Sequence, residues 1–119
     1  NVAVCDDANG WPADVFVSIH CNAFNKQALG TETLCYNENS SAGTLARCIQ
    51  TQIVTNLRTV DRGIKECPNL AVLRATNMPA VLIEMAFIDN DADAALLTQR
   101  SDDFARAIAR GITDYQLLQ

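Results

Sequence analysis

Apolar residues along this chain fall into short, nearly unbroken runs separated by longer stretches patterned at helical spacing. Val15-Phe16-Val17-Ser18-Ile19 is rich in β-branched residues and almost continuously apolar, the pattern of a strand buried on both faces of a parallel sheet. Residues 30–36 predict a second strand, with Glu32 on one face and Thr31 and Thr33 on the other. Residues 70–73 and 80–83 read as two further short strands, separated by Thr76-Asn77-Met78-Pro79. Leu45, Ile49, Ile53 and Leu57 recur every four residues, and Cys48 and Val54 widen that stripe. This predicts an amphipathic helix capped by Ser40 or Ser41 and packed on a sheet. Asp61-Arg62-Gly63 then reads as a turn. Ser101 is expected to cap a last helix whose inner face is Phe104, Ala105, Ile108, Ile112 and Tyr115. Residues 2–8 read as the tail of a helix stopped by Asn9-Gly10.

Strands alternating with helices predict an α/β fold: a mostly parallel sheet covered by helices on both faces, in three layers. Four strands and two long helices are placed, in one domain over residues 1–119. The connections are long enough to be crossovers. No internal repeat or linker interrupts the chain.

Composition narrows the partners. Nine Lys and Arg against 14 Asp and Glu leave a formal charge of −5. Nucleic acid and anionic membrane surfaces call for a basic footprint, so neither is expected. No apolar run approaches the roughly 20 residues that span a bilayer. The first residues lack the layout of a signal peptide. Five cysteines, at 5, 21, 35, 48 and 67, form no C-x-x-C pair and are odd in number. A tetrahedral cysteine site is therefore not expected, and Cys35 and Cys48 read as small buried hydrophobes.

Chemistry is expected at the carboxyl ends of the strands, where open α/β sheets bind ligands. His20 follows the residue 15–19 strand, and Glu84 follows the residue 80–83 strand. If those strands are neighbours, the two side chains meet over one sheet edge, the layout of a metal ligand and a general base. A single strand-end His is as readily a hydrogen-bonded structural residue. Glu84 carries more weight because it interrupts the apolar runs Val81-Leu82-Ile83 and Met85-Ala86-Phe87, where a carboxylate is costly unless paired, bonded or functional. Asp91, Asp93, Asp102 and Asp103 read as a solvated face and helix starts.

Five segments, in order, resemble the cell-wall amidase family whose catalytic domain is called amidase type 3. They are Ala13-Asp14-Val15-Phe16-Val17-Ser18-Ile19-His20-Cys21-Asn22-Ala23, Gly30-Thr31-Glu32-Thr33, Asp61-Arg62-Gly63-Ile64-Lys65, Leu70-Ala71-Val72-Leu73-Arg74 with Met78-Pro79-Ala80, and Ile83-Glu84-Met85-Ala86-Phe87-Ile88-Asp89-Asn90. The resemblance implies a zinc ion held by two His and one Glu, with water in the fourth position. His20 matches the second His ligand and Glu84 the catalytic Glu. Asn22, Arg62 and Asn90 become candidates for supporting or substrate contacts, each readable equally as a turn or capping residue. Two departures stand out: Met85-Ala86 where the family has a small or hydroxyl residue and Gly, and Asp89 where it has Ser. They bear on substrate preference.

The family's first strand, with its His, and the Glu that follows it have no counterpart here. The chain is therefore expected to be a catalytic domain incomplete at its N-terminus, with the remaining zinc ligands upstream of Asn1. The implied reaction is hydrolysis of the amide between N-acetylmuramic acid and L-alanine in peptidoglycan, at the cell wall or otherwise outside the cytoplasm. The alternative is a catalytically incompetent module that binds or regulates peptidoglycan. A zinc peptidase of related architecture ranks lower, because His20 is the chain's single His.

Overall fold

The computed structural model describes residues 2–119. In chain order its elements are α1 (Val2–Gly10), β1 (Phe16–Asn22), β2 (Thr31–Cys35), α2 (Ser41–Leu57), β3 (Asp61–Glu66), α3 (Ala71–Arg74), β4 (Ala80–Phe87), α4 (Asp91–Gln99) and α5 (Ser101–Leu117). The described strands form one sheet in the order β1-β4-β2-β3. β1 runs parallel to β4 and β2 parallel to β3, while β2 meets β4 antiparallel. The α/β expectation holds, with an antiparallel seam between two parallel pairs.

Each face of the sheet has its own apolar layer. On one, Val81 and Ile83 of β4, Cys35 of β2 and the partly buried Val17 of β1 pack against α2 and α5 through Leu45, Ile49, Ile53, Phe104 and Ile108. On the other, Ala80, Leu82, Phe16 and Leu34 pack against Cys5 of α1 and Val72 and Leu73 of α3. Thr31 and Thr33 are 0% exposed beneath α2. Their hydroxyls are satisfied there: Thr31 donates to the Met85 carbonyl and Thr33 to Gln50 Oε1. The Gln50 amide in turn donates to the Thr31 carbonyl and to Asp61, stitching β2 to β3.

Several local expectations are corrected. Residues 71–73, expected within a strand, lie in the one-turn helix α3 with Leu70 at its N-cap; Val72 and Leu73 reach the second apolar layer from there while Leu70 stays partly exposed. A four-residue apolar run carries too little periodicity to separate the two states. Asp61-Arg62-Gly63 opens β3 and is a bulge, not a turn: Thr31 pairs with Asp61 and Thr33 with Ile64, and Gly63 takes φ 75°. β1 and β4 run to Asn22 and Phe87, so His20 and Glu84 lie inside strands. Asp91 and Asp93 do start a helix, α4, but Asp93 is 3% exposed and is not a solvated carboxylate. Ser40 holds the N-cap position of α2, but its hydroxyl donates to the Asn37 carbonyl and caps nothing. Arg100, not Ser101, precedes α5, and Ala107 and Gly111 take the inner-face place expected for Ala105, which is exposed.

At Gly111, α5 passes close to the backbone of α2. A Cβ there would lie 2.6 Å from the Ile49 Cα, a contact that backbone must move to relieve. Gly111→Ala is therefore expected to cost about 1–3 kcal/mol of overpacking strain. A drop in thermal midpoint measures it, and an unchanged midpoint would show that the two helices do not pack this closely.

Candidate functional site

The helices of the second layer cover only one end of their face. Phe16, Ala80, Leu82 and Leu34 lie under α1 and α3, while the same face toward the carboxyl ends of β1 and β4 stays open. Strand alternation carries Phe16, Ser18 and His20 to this face from β1, and Leu82 and Glu84 from β4. Cα register then pairs His20 with Glu84, and Glu84 with Glu32 of β2. With neighbouring strands roughly 4.8 Å apart, the three side chains stand abreast across three strands.

Arg62 extends the row to β3. Its Nε donates to Glu32 Oε1 at 2.7 Å, and its guanidinium lies 4.9 Å from the centre of the Phe87 ring. The bulge at Arg62-Gly63 makes this reach possible, since an extra residue in one strand re-aims the side chains beside it. Asp61 Oδ1 accepts the Gly63 N–H at 2.8 Å and fixes the bulge. A second irregularity lies between β1 and β4, where His20 pairs with Glu84 but Asn22 with Phe87.

Glu84 is half-buried, and its carboxyl is pushed above the ordinary carboxylate range. Burial is the main cause; the His20 imidazole opposes it, and the neighbouring Glu32 adds to it. A carboxylate with raised proton affinity beside an imidazole is suited to general-base work. His20 is exposed, and its Nε2 lies 2.8 Å from the Ser18 hydroxyl two residues back on the same face. Such a partner orients an imidazole, as in metal sites where a second group sets the ring.

The remaining candidates separate. Arg62 joins the row. Asn22 closes the turn out of β1: its side-chain oxygen accepts the Ala23 N–H and its carbonyl the Ile88 N–H. Asn90 caps α4, accepting the Asp93 N–H at 3.1 Å. Ser18, Glu32 and Phe87 join the site without having been singled out by the sequence, and Asp93, expected as a solvated helix start, is buried beside them. Glu32 had a usable signal, since it is the one charged residue in a strand whose alternate positions, Thr31 and Thr33, are buried. Asp93 Oδ2 accepts the N–H groups of Gly30 at 2.7 Å and Phe87 at 2.9 Å, tying the start of β2 to the end of β4.

As a metal site the row is partial. A catalytic zinc takes three protein ligands. His20 has the right donor chemistry and an open position, and among the described residues no group of three His, Cys, Asp or Glu side chains converges. The exposed Cys21 follows His20 in β1, and burial, with Glu84 adding to it, raises its thiol above the ordinary range. None of the described helices is long and apolar enough to cross a membrane.

Comparison with known proteins places this geometry in context. Over 115 residues the chain is 44% identical to an uncharacterised cell wall amidase of Bacillus anthracis, covering 86% of this chain and 21% of that protein. It is 40% identical over 108 residues to the N-acetylmuramoyl-L-alanine amidase LytC of Bacillus subtilis, covering 87% of this chain and 22% of LytC. The chain thus spans about a fifth of the length of both. The crystal structure of an N-acetylmuramoyl-L-alanine amidase from Clostridium difficile superimposes with a TM-score of 0.88 at 36% identity, over 97% of this chain and 64% of that one. The N-acetylmuramoyl-L-alanine amidase family model matches residues 3–114, and the chain belongs to that family.

Proposed function

We propose that this chain is the larger part of a zinc-dependent catalytic domain that hydrolyses the amide joining the lactyl group of N-acetylmuramic acid to L-alanine of the stem peptide. One observation carries the reading: His20 and Glu84 are paired in register on adjacent strands, at the open end of the sheet. Similarity to named amidases supports the substrate class. It also supports action on the cell wall, outside the cytoplasm.

His20 would hold the zinc, with the remaining ligands supplied from upstream of Asn1. When bound, the ion lowers the pKa of its water to about 7 and polarises a carbonyl. Glu84, held above the usual carboxylate range by burial, takes the proton of the attacking water and returns it to the leaving amine. Arg62 ties down Glu32, so the second carboxylate of the row is compensated and Glu84 is left to act as the base. Ser18 holds the His20 ring.

Two outcomes test this. In the full protein that carries the chain, Glu84→Gln is expected to keep zinc content and lower hydrolysis about 10²–10⁴-fold. Wild-type turnover would remove Glu84 from the role of base, and loss of zinc with activity would make it a ligand. Residues 1–119 expressed alone offer one imidazole to the metal, so they are expected to hold zinc below stoichiometry and to turn over no substrate. Stoichiometric zinc with full turnover from a monomer would contradict this ligand assignment.

A further inference from the structure

The segment between β1 and β2, residues 23–29, is mostly exposed and has no regular structure, yet polar contacts hold it throughout. Asn25 Oδ1 accepts the N–H groups of Gln27 and Ala28 at 3.0 and 2.8 Å. Asp89 Oδ2, from just beyond β4, accepts those of Phe24 and Lys26 at 3.0 and 3.1 Å. Lys26 is held at φ 68°, a left-handed conformation that strains a residue other than glycine and persists only where surroundings impose it. The other oxygen of Asp89 is buried and accepts no hydrogen bond from the described protein groups. This fixed, strained segment displays Phe24, 78% exposed, four residues beyond His20 at the carboxyl end of β1.

Surface connections with no packing role are normally mobile. One that is strained, tied to the adjacent strand end and topped by an exposed aromatic has the properties of a recognition element. We infer that residues 23–29 form a fixed substrate-recognition arm, in which Phe24 and Lys26 contact an acidic muramyl peptide and Asp89 is the positioning residue. The inference rests on the proposed reading of the His20–Glu84 site. Phe24 offers an apolar face to a sugar ring or peptide, and Lys26 offers a cation to a stem-peptide carboxylate in a chain whose net charge of −5 would otherwise repel it. An ionised carboxylate is a strong acceptor for two backbone N–H groups at once.

The test uses the full protein that carries the chain, with Glu84→Gln to block turnover, binding to purified peptidoglycan sacculi. Phe24→Ala and Lys26→Gln are each expected to weaken binding about three- to tenfold, the size of one apolar or charged contact. Asp89→Ala is expected to weaken binding similarly and to speed hydrogen exchange at the Phe24 and Lys26 amides. Asp89→Asn keeps an acceptor oxygen and is expected to restore both. With Glu84 intact, the first three changes should raise KM with kcat within about twofold, the signature of lost uniform binding. Unchanged binding in Phe24→Ala and Lys26→Gln overturns the inference. So does Asp89→Ala with faster exchange but unchanged binding, which would leave Asp89 a structural clamp only. Sacculus binding that falls as expected in a protein whose unsubstituted form does not cleave overturns the proposed function instead.

Discussion

The candidate site depends on strand register. His20, Glu84 and Glu32 are far apart in the chain and stand abreast only because β4 pairs with β1 on one side and β2 on the other. Side chains alternate with a period of two, so a one-residue slip of β4 would turn Glu84 into the α2–α5 layer and aim Ile83 or Met85 at the open end. Either error would bury a carboxylate among Ile49, Ile53 and Phe104. The apolar core therefore enforces the register, and the register assembles the site.

Two further features give this row its character. The layer formed by α1 and α3 stops short of the carboxyl ends of β1 and β4, leaving Glu84 half-buried with an elevated proton affinity and His20 open to a ligand. The polar ties that surround the row hold its edges. Gln50 links β2 to β3, Asp93 links Gly30 to Phe87, and Asp61 fixes the bulge that delivers Arg62 to Glu32. Gln50 and Asp93 bond the backbone of other segments and so align the strands, while Asp61 shapes its own strand from within.

Much of this was legible in the residues. The apolar runs around Val17 and Val81 located both strands, and a glutamate interrupting the second run located Glu84. The helical stripe Leu45, Ile49, Ile53, Leu57 located α2, and all four residues are buried. What escaped was decided by tertiary contacts. Residues 71–74 wind into a helix that carries Val72 and Leu73 into the second apolar layer. Asp-Arg-Gly at residues 61–63 has turn chemistry, yet pairing with Thr31 makes it a bulge. Asp93 was indistinguishable from a surface helix start until the two N–H groups it accepts were brought beside it. The part played by Glu32 needed the strand order, which local pattern does not contain.

The central claim is that His20 and Glu84 act as one unit, and a kinetic double-mutant cycle in the full protein tests it most directly. Groups that serve one step are strongly non-additive. His20→Ala with Glu84→Gln is therefore expected to hydrolyse peptidoglycan no more slowly than the worse of the two single variants. Losses that simply multiply would show that the two residues act independently and contradict the account.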